Sequence, residues 1–399
     1  MKPYPAYKPT GLAWLPEVPR EWEMLHVREL FSERREKVSD DEYEPLSVSR
    51  GGVVPQMESV AKSDDGDNRK RVCKGDFVIN SRSDRKASSG VSPLDGSVSL
   101  VNIVLQPRGN YIGSYVHYLL KSNDFVEEYY RNGRGIVADL WTTRFSEMKS
   151  ISLPVPTKEE QAIIASYLDE KTAKIDRLIE LKEREINLYK EKVVRLATDC
   201  QDSPSQKSRI KRLFRLVRDE VEIQENDFYM PVGVLNRGRG VFHKDVTLGK
   251  DMGESEFFRI YPGDLLISGQ FAWEGSFAVT GEGEQGCVAS HRYYSLRPNN
   301  DMRVEYLWAF FQTQYGDLIA NLCSHGAAGR NKPLNIDELM NVYVPFPDID
   351  KQNEIAEACL LLFRAVEIRD KYVSLLKEYR TRLISDAVTG RIDLRKEVA

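Results

Sequence analysis

Apolar and polar positions alternate along this chain in two rhythms, and the pair of rhythms occurs twice. Short apolar runs at Phe77-Val78-Ile79, Val98 to Leu105 and Ile151 to Val155, bounded by turns rich in Gly, Ser, Asp and Asn, predict short strands. Tyr115 to Tyr129 places Val116, Leu119, Leu120, Phe125 and Val126 on one broad face and predicts a helix. Thr157 to Asp199 predicts a far longer one. Ala165, Leu168, Thr172, Ile175, Ile179, Lys182, Ile186, Tyr189, Val193 and Leu196 follow 3-4 heptad spacing, with Thr172 and Lys182 as its polar members. Thr157-Lys158-Glu159-Glu160 reads as a capping box at its start. A helix of about forty residues is roughly 60 Å long at 1.5 Å per residue, which exceeds the width of a small domain and suits a spacer.

The series then returns. Tyr306 to Leu322 predicts a second helix of the first kind, and Asp348 to Thr389 a second long one, with Asp348 as N-cap and Gly390 as the C-terminal stop. Leu362, Val366, Val373, Leu376, Leu383 and Ala387 give it a seam, interrupted by Arg369 and Arg380. Leu153-Pro154-Val155-Pro156 finds its partner in Val344-Pro345-Phe346-Pro347, an offset of 347 − 156 = 191 that also pairs Tyr115 with Tyr306, Gln161 with Gln352 and Thr198 with Thr389. Upstream the offset shrinks: Gly75-Asp76 matches Gly263-Asp264 at 188, Pro45 matches Pro231 at 186, and Leu30-Phe31 matches Leu213-Phe214 at 183. Two long-period copies predict a pseudo-twofold molecule rather than a solenoid.

The expected fold is α/β (α+β): two globular units in pseudo-twofold arrangement, separated by a long antiparallel two-helix coiled coil. Residues 1–156 and 209–347 form the globular units, 157–200 and 348–390 the spacer helices, 201–208 a linker and 391–399 a tail. Each long helix alone exposes an apolar stripe. Antiparallel pairing buries both stripes and sets the globular units at opposite ends; packing of each helix on its own domain is the competing arrangement.

Length allows two or three domains with ample core. No apolar run approaches a membrane span, and Met1-Lys2-Pro3-Tyr4-Pro5 lacks the apolar core of a signal peptide, so no membrane role and a cytoplasmic location are expected. Five scattered cysteines, Cys73, Cys200, Cys287, Cys323 and Cys359, without a CxxC pair argue for reduced thiols and against a zinc site. A net charge of −4 argues against a simple basic nucleic-acid binder, but basic clusters stand at Arg34-Arg35, Arg69 to Arg71, Arg82 to Lys86 and Arg237 to Arg239, and binding depends on where charge sits.

Catalytic motifs are absent from the sequence. Gly281 to Gly286 fits GxGxxG, but a strand-like Cys287 to Tyr294 follows it and its two glutamates repel a pyrophosphate, so it reads as a hairpin turn. There is no Walker A loop, GxSxG elbow or base-flipping methyltransferase tetrad. No catalytic, cofactor-binding or metal-binding residue is assigned.

Binding remains. The candidate DNA-reading residues are Arg50, Ser81, Arg82, Arg85, Lys86, Arg131, Arg134 and Arg144 in the first copy. In the second they are Arg237, Arg239, Gln270, Trp273, Arg292, His325, Arg330, Asn331 and Lys332. Arginine bonds bidentately to guanine and Asn or Gln to adenine; lysine and Gly-rich backbone suit phosphate. Any one basic loop is ordinary surface. The sharper point is that matched loops differ: Arg82-Ser83-Asp84-Arg85 in one copy faces Gly269-Gln270-Phe271-Ala272-Trp273 in the other.

Leu153 to Asp169, running into Lys171 to Asp176, its weakened return at Val344 to Ile355, and Leu383 to Gly390 resemble the specificity subunits of type I restriction-modification enzymes, over nearly the full length. Tyr4 to Tyr7 with Trp14 to Pro19 and Trp22 is similar to the N-terminus of that family. The resemblance implies two target recognition domains that each bind half of a bipartite double-stranded DNA sequence. It also implies helices that measure the gap and dock two modification subunits. Those would carry S-adenosylmethionine, and restriction subunits would carry ATP and Mg; this chain would bind no cofactor and catalyse nothing. The second copy departs from the pattern where Asp348-Ile349-Asp350-Lys351-Gln352 replaces Thr-Lys-Glu-Glu-Gln, losing the capping glutamate. A protein-binding coiled-coil scaffold and a self-contained methyltransferase or nuclease are the alternatives.

Overall fold

The computed structural model describes residues 2–57, 66–109, 112–135, 141–202, 206–299, 302–326 and 332–396. The chain divides into two compact units: Met1–Glu180 with Tyr372–Ala399, and Leu181–Lys371. The division falls inside both long helices, so each unit owns one end of each.

In the first unit a four-stranded antiparallel sheet has the order Ser89–Val91, Phe77–Asn80, Asn102–Pro107, Phe31–Glu33. A second sheet runs Gly96–Ser99, Arg69–Val72, Lys37–Val38. The run Val98 to Leu105 is thus two strands, broken at Leu100-Val101. The Pro-punctuated strand Ser152–Val155 pairs with Glu23–His26. In the second unit the four-stranded sheet is Phe214–Val217, Tyr293–Pro298, Leu265–Ser268, Phe277–Val279, and Tyr343–Phe346 pairs with Gln206–Arg209. The expected linker is therefore shorter than its composition suggests: Gln201 and Asp202 extend the helix and Gln206 to Ser208 are strand.

Each expected short helix is a pair. Gly113–Lys121 stops at Ser122, whose hydroxyl donates to Leu119 O (2.7 Å) and accepts from Phe125 N (3.3 Å), starting Asn123–Arg131. Thr313 divides Val304–Phe311 from Gln314–Leu322 in the same way, donating to Phe310 O (2.7 Å) and accepting from Gly316 N (3.1 Å). A hydroxyl that serves both ends outcompetes the helical ladder locally, which apolar periodicity does not register. Gly281 to Gly286 is a turn followed by strand Val288–Ser290, but no hairpin: Phe277–Val279 pairs with Leu265–Ser268, and Val288–Ser290 with Phe257–Arg259.

The long helices are Lys158–Asp202 and Ile349–Val388. Thr157 Oγ1 accepts from Glu160 N (3.3 Å), as an N-cap should, but the Glu160 carboxylate accepts from the Tyr4 hydroxyl (2.5 Å), leaving half of the capping box unmade. Asp348 Oδ1 accepts from Lys351 N (2.9 Å) and Gly390 takes the left-handed stop at φ 76°. In the first unit Ile164, Ala165 and Leu168 share one core with Phe77, Tyr115 and Leu119 and with Leu383, Ala387, Val388 and Leu394. Each fully buried Leu, Ile, Val or Phe side chain among them contributes about 1.5–3 kcal/mol. Asp176 pairs with Arg380 at 3.1 Å, and the Tyr115 hydroxyl donates to Pro154 O (3.2 Å) and Val388 O (3.4 Å), so the start of one long helix lies beside the end of the other. In the second unit Ile186, Val193, Ala197 and Cys200 share a core with Ile355, Ala358, Cys359 and Leu362. Burial, then the charges of Arg369 and Arg239, holds Lys190 below its usual range. The helices run antiparallel in both units, and each also completes a domain core.

Candidate nucleic-acid interface

In the first unit the hairpin Leu46–Ser49/Gly52–Pro55 carries Arg50 at its tip. Lys121 pins that tip, with Nζ donating to Arg50 O (2.7 Å) and Ser89 O (3.0 Å), and Arg50 Nε donates to Lys86 O (3.3 Å). Ser81, at the exit of strand Phe77–Asn80, is buried; its backbone bonds Val101 O and Thr143 N. It is a splint under the loop rather than an exposed reading group. Ser83–Arg85 makes one 3-10 turn.

The cations of these loops are not bare. Arg82 Nε lies 3.1 Å from Asp84, Arg85 Nε 3.9 Å from the same carboxylate, and Lys86 Nζ 2.6 Å from Glu127. Arg131 is bidentate on Glu128 at 2.8 and 2.9 Å. Exposed pairs contribute at most about 1 kcal/mol, so phosphates or base edges can replace the carboxylates at small cost. Arg131 is the exception, because Glu128 is buried and also accepts from Asn132 Nδ2 (3.0 Å). Arg134 exchanges backbone bonds with Thr142, and Arg144 is exposed two residues further on. Arg50, Arg82, Arg85, Lys86, Arg131, Arg134 and Arg144 therefore share one region.

In the second unit Arg237 to Gly240 turns between strands Val232–Val234 and Val241–His243. Arg237 sits at φ 57°, a left-handed conformation that costs a side-chain-bearing residue about 1 kcal/mol. Arg237 N donates to Glu274 O (3.0 Å) and Gly238 N to Gly275 O (2.9 Å), locking the turn onto the 3-10 turn Ala272–Glu274. Arg239 Nε donates to Asn236 O (3.0 Å). Trp273 Nε1 donates to Gln270 O (3.1 Å), and Lys332 Nζ stands 5.1 Å over the indole ring. Arg292 O accepts from Gly269 N (2.7 Å), and His325 Nε2 lies 2.7 Å from Glu338. Leu334 N donates to Gly269 O (2.7 Å), bringing the Lys332 segment to the Gln270 loop. Arg330 and Asn331 lie outside the described residues.

The two loops occupy the same place in their units. Ser83–Arg85 and Ala272–Glu274 are both 3-10 turns after the equivalent strand, and each is followed by a left-handed residue, Ala87 (φ 65°) one residue past the cap or Gly275 (φ 71°) at it. The frame is shared and the exposed chemistry differs. Two residues beside it carry no signal in the sequence that marks them, Lys121 and Trp141, and two more, Arg35 and Lys70, are marked there only as members of basic runs. In those runs Arg34 pairs with buried Asp76 (2.8 Å) and Arg69 donates to Ser97 (2.8 Å), while Arg71 pairs with exposed Glu36 (2.9 Å). Among the described residues no cluster of His, Cys, Asp and Glu could hold a metal ion, and no helix is long and apolar enough to cross a membrane.

Residues 210–369 match the family model of the type I restriction modification DNA specificity domain. The fold is similar to a chain from a structure of the assembly and conformational transition of a type I restriction-modification system. The TM-score is 0.60 at 14% identity, covering 94% of this chain and 99% of that one. It is also similar to the S subunit of a type I restriction-modification system from M. genitalium, with TM-score 0.50 at 16% identity, covering 93% of this chain and 96% of the other. At these identities the likeness is one of fold. No curated protein matches the sequence.

Proposed function

We propose that this chain is a DNA-recognition subunit of the type I restriction-modification specificity family, and that each compact unit reads one half of a bipartite duplex sequence. The observation that carries this reading is the shared frame with unlike contents. Two loops held by equivalent turns present arginines and a lysine in one unit, and Gln270, Trp273 and Lys332 in the other. Equal readers would need equal side chains, and unlike ones suit unlike half-sites. Groups that pair only with exposed carboxylates are poised to exchange them for DNA.

The long helices serve as the ruler between half-sites and as the platform for two modification subunits. In support, they leave Leu178 (40% exposed), Leu188 (60%), Leu361 (52%), Ile368 (63%) and Leu375 (63%) in solvent, apolar positions that a docked subunit would cover. S-adenosylmethionine, ATP and Mg belong to the partner subunits, and this chain positions rather than catalyses.

The test is duplex binding by the chain purified with its modification partner. Saturable preference for one bipartite sequence over scrambled competitor is expected. Equal binding to all duplexes would sink the reading, and methyl transfer by the chain alone would replace it with an enzymatic one.

A further inference from the structure

Behind the reader loop of the first unit lies a cleft of about 570 Å³ onto which Arg35, Lys70, Arg82 and Arg144 converge. We propose that it is a phosphodiester site, carrying the DNA backbone that flanks the bases read by the 81–86 loop. The inference rests on the DNA-recognition reading and deepens it.

The charge balance is the first argument. Four cations line the cleft against one carboxylate, Glu33; Asp84 pairs with Arg82 from outside it. Glu33 is shared: Arg35 Nε lies 2.7 Å away and Lys70 Nζ 3.6 Å away, so it neutralises one of the two at most. Lys70 Nζ also donates to Asn102 O (2.8 Å), which holds the ammonium at a fixed place although its side chain is only 16% exposed. Arg35, 77% exposed, stands at the rim. Leu100, Val101 and Phe145 supply the apolar part of its lining. A lysine is a point charge without the directional fork that reads a base edge, and phosphate is the DNA group that accepts from such a set. Arg82 belongs to both the cleft and the reader loop, so one strand can pass from the first to the second.

The second unit supplies the contrast. Lys70 pairs with Val98 across its sheet as Phe258 pairs with Ala289, at offsets of 258 − 70 = 188 and 289 − 98 = 191. The equivalent depression is about 230 Å³ and keeps Arg218 where Arg35 stands, but has Leu216 for Glu33, Phe258 for Lys70 and Tyr294 for Ile103. The same pocket is cationic in one copy and aromatic in the other, so backbone charge contacts concentrate on the first unit's half of the duplex.

The test measures binding of a scrambled-sequence duplex and of the preferred duplex by the complex of this chain with its modification partner, across salt concentrations. The slope of log K against log salt falls by about 0.9 for each phosphate that the protein ceases to neutralise. Arg35→Gln alters an exposed side chain, so folding survives, and should reduce the slope by about 0.9; Arg35→Gln with Lys70→Gln should reduce it by about 1.8. Both duplexes should weaken together, with the preference ratio kept. Glu33→Gln should act oppositely and tighten both. An unchanged slope in the double variant, or a changed preference ratio, would overturn the proposal. If the unsubstituted complex shows no sequence preference at all, the DNA-recognition reading itself fails, a distinct outcome.

Discussion

Gln161 and Gln352, 191 positions apart, make the same two hydrogen bonds in their separate units. Gln161 Oε1 accepts from Ile112 N (3.2 Å) and its Nε2 donates to Pro156 O (3.0 Å); Gln352 Oε1 accepts from Arg303 N (3.2 Å) and its Nε2 donates to Pro347 O (2.9 Å). Each buried amide ties the first turn of a long helix to the start of a domain helix and to the proline before the cap. Gln161→Leu should strand both backbone groups and destabilise the first unit by about 2 kcal/mol, with Gln352→Leu doing the same to the second. Hydrogen exchange over Gly113–Lys121 and Val304–Phe311 reads each case. Unchanged protection in both would mean that the amides clamp nothing.

Acid should weaken the first unit through His117. Burial, then the neighbouring Lys121, pushes this imidazole down to about 4. Its folded value lies below the unfolded one, so the unfolded chain binds more protons between about pH 6.5 and 4 and stability falls as pH drops through that window. The full effect is about 3 kcal/mol. Denaturant titrations at pH 7 and pH 5 should separate more for the natural chain than for His117→Gln, whose stability should be flatter in pH.

Ala87 and Gly275 occupy equivalent left-handed positions, at φ 65° and 71°. Ala87→Gly relieves strain and should stabilise the first unit by about 0.5–1 kcal/mol, whereas Gly275→Ala should cost the second about 1 kcal/mol. A denaturation midpoint that falls for Ala87→Gly would mean that loop rigidity outweighs the strain.

Each unit buries an aspartate and neutralises it from a different strand. Asp76 pairs with Arg34 (2.8 Å), the residue after Phe31–Glu33; Asp264 pairs bidentately with Arg297 (2.7 and 2.8 Å), from Tyr293–Pro298. Arg297→Met leaves a fully buried carboxylate without its cation and should destabilise by about 3–5 kcal/mol. The double change Arg297→Met with Asp264→Asn should recover most of that loss in the same denaturation assay.

Exchanging Ser81 to Lys86 for the corresponding loop of a relative with another target should alter preference at one half-site only. Selection from a randomised duplex pool reads both halves at once. A shift at both would contradict independent readers.

Much of this architecture is legible in the residues themselves. The offset of 191 marks the frame because Tyr115 and Tyr306, Gln161 and Gln352, and Thr198 and Thr389 make matching bonds, and such bonds leave little freedom of residue type. The reader loops fall at matched positions of the same repeat. What escaped depends on hydrogen-bond partners that apolar periodicity does not choose, some local and some distant in sequence. Periodicity does not show that Ser122 and Thr313 break their helices, because a hydroxyl's choice of partner is local geometry. Glu160 looks like a capping residue until Tyr4, 156 positions away, takes its carboxylate. Ser81 looks exposed in a polar loop until Thr143 and Val101 close over it. Within Arg69 to Arg71 only strand pleating decides which cation faces the cleft.

The core shared by Leu119, Leu168, Leu383 and Leu394 also sets an order of events on the ribosome. Unit two is a continuous stretch, 181–371, and every residue it needs is made before the segment that completes unit one. Unit one, though begun first, waits for residues 372–394 to leave the exit tunnel, with its half-built interior unsealed meanwhile. Domains usually mature from the N-terminus onward during synthesis; here the earlier-made unit is completed last, and a message truncated before codon 372 yields a molecule with one finished reader.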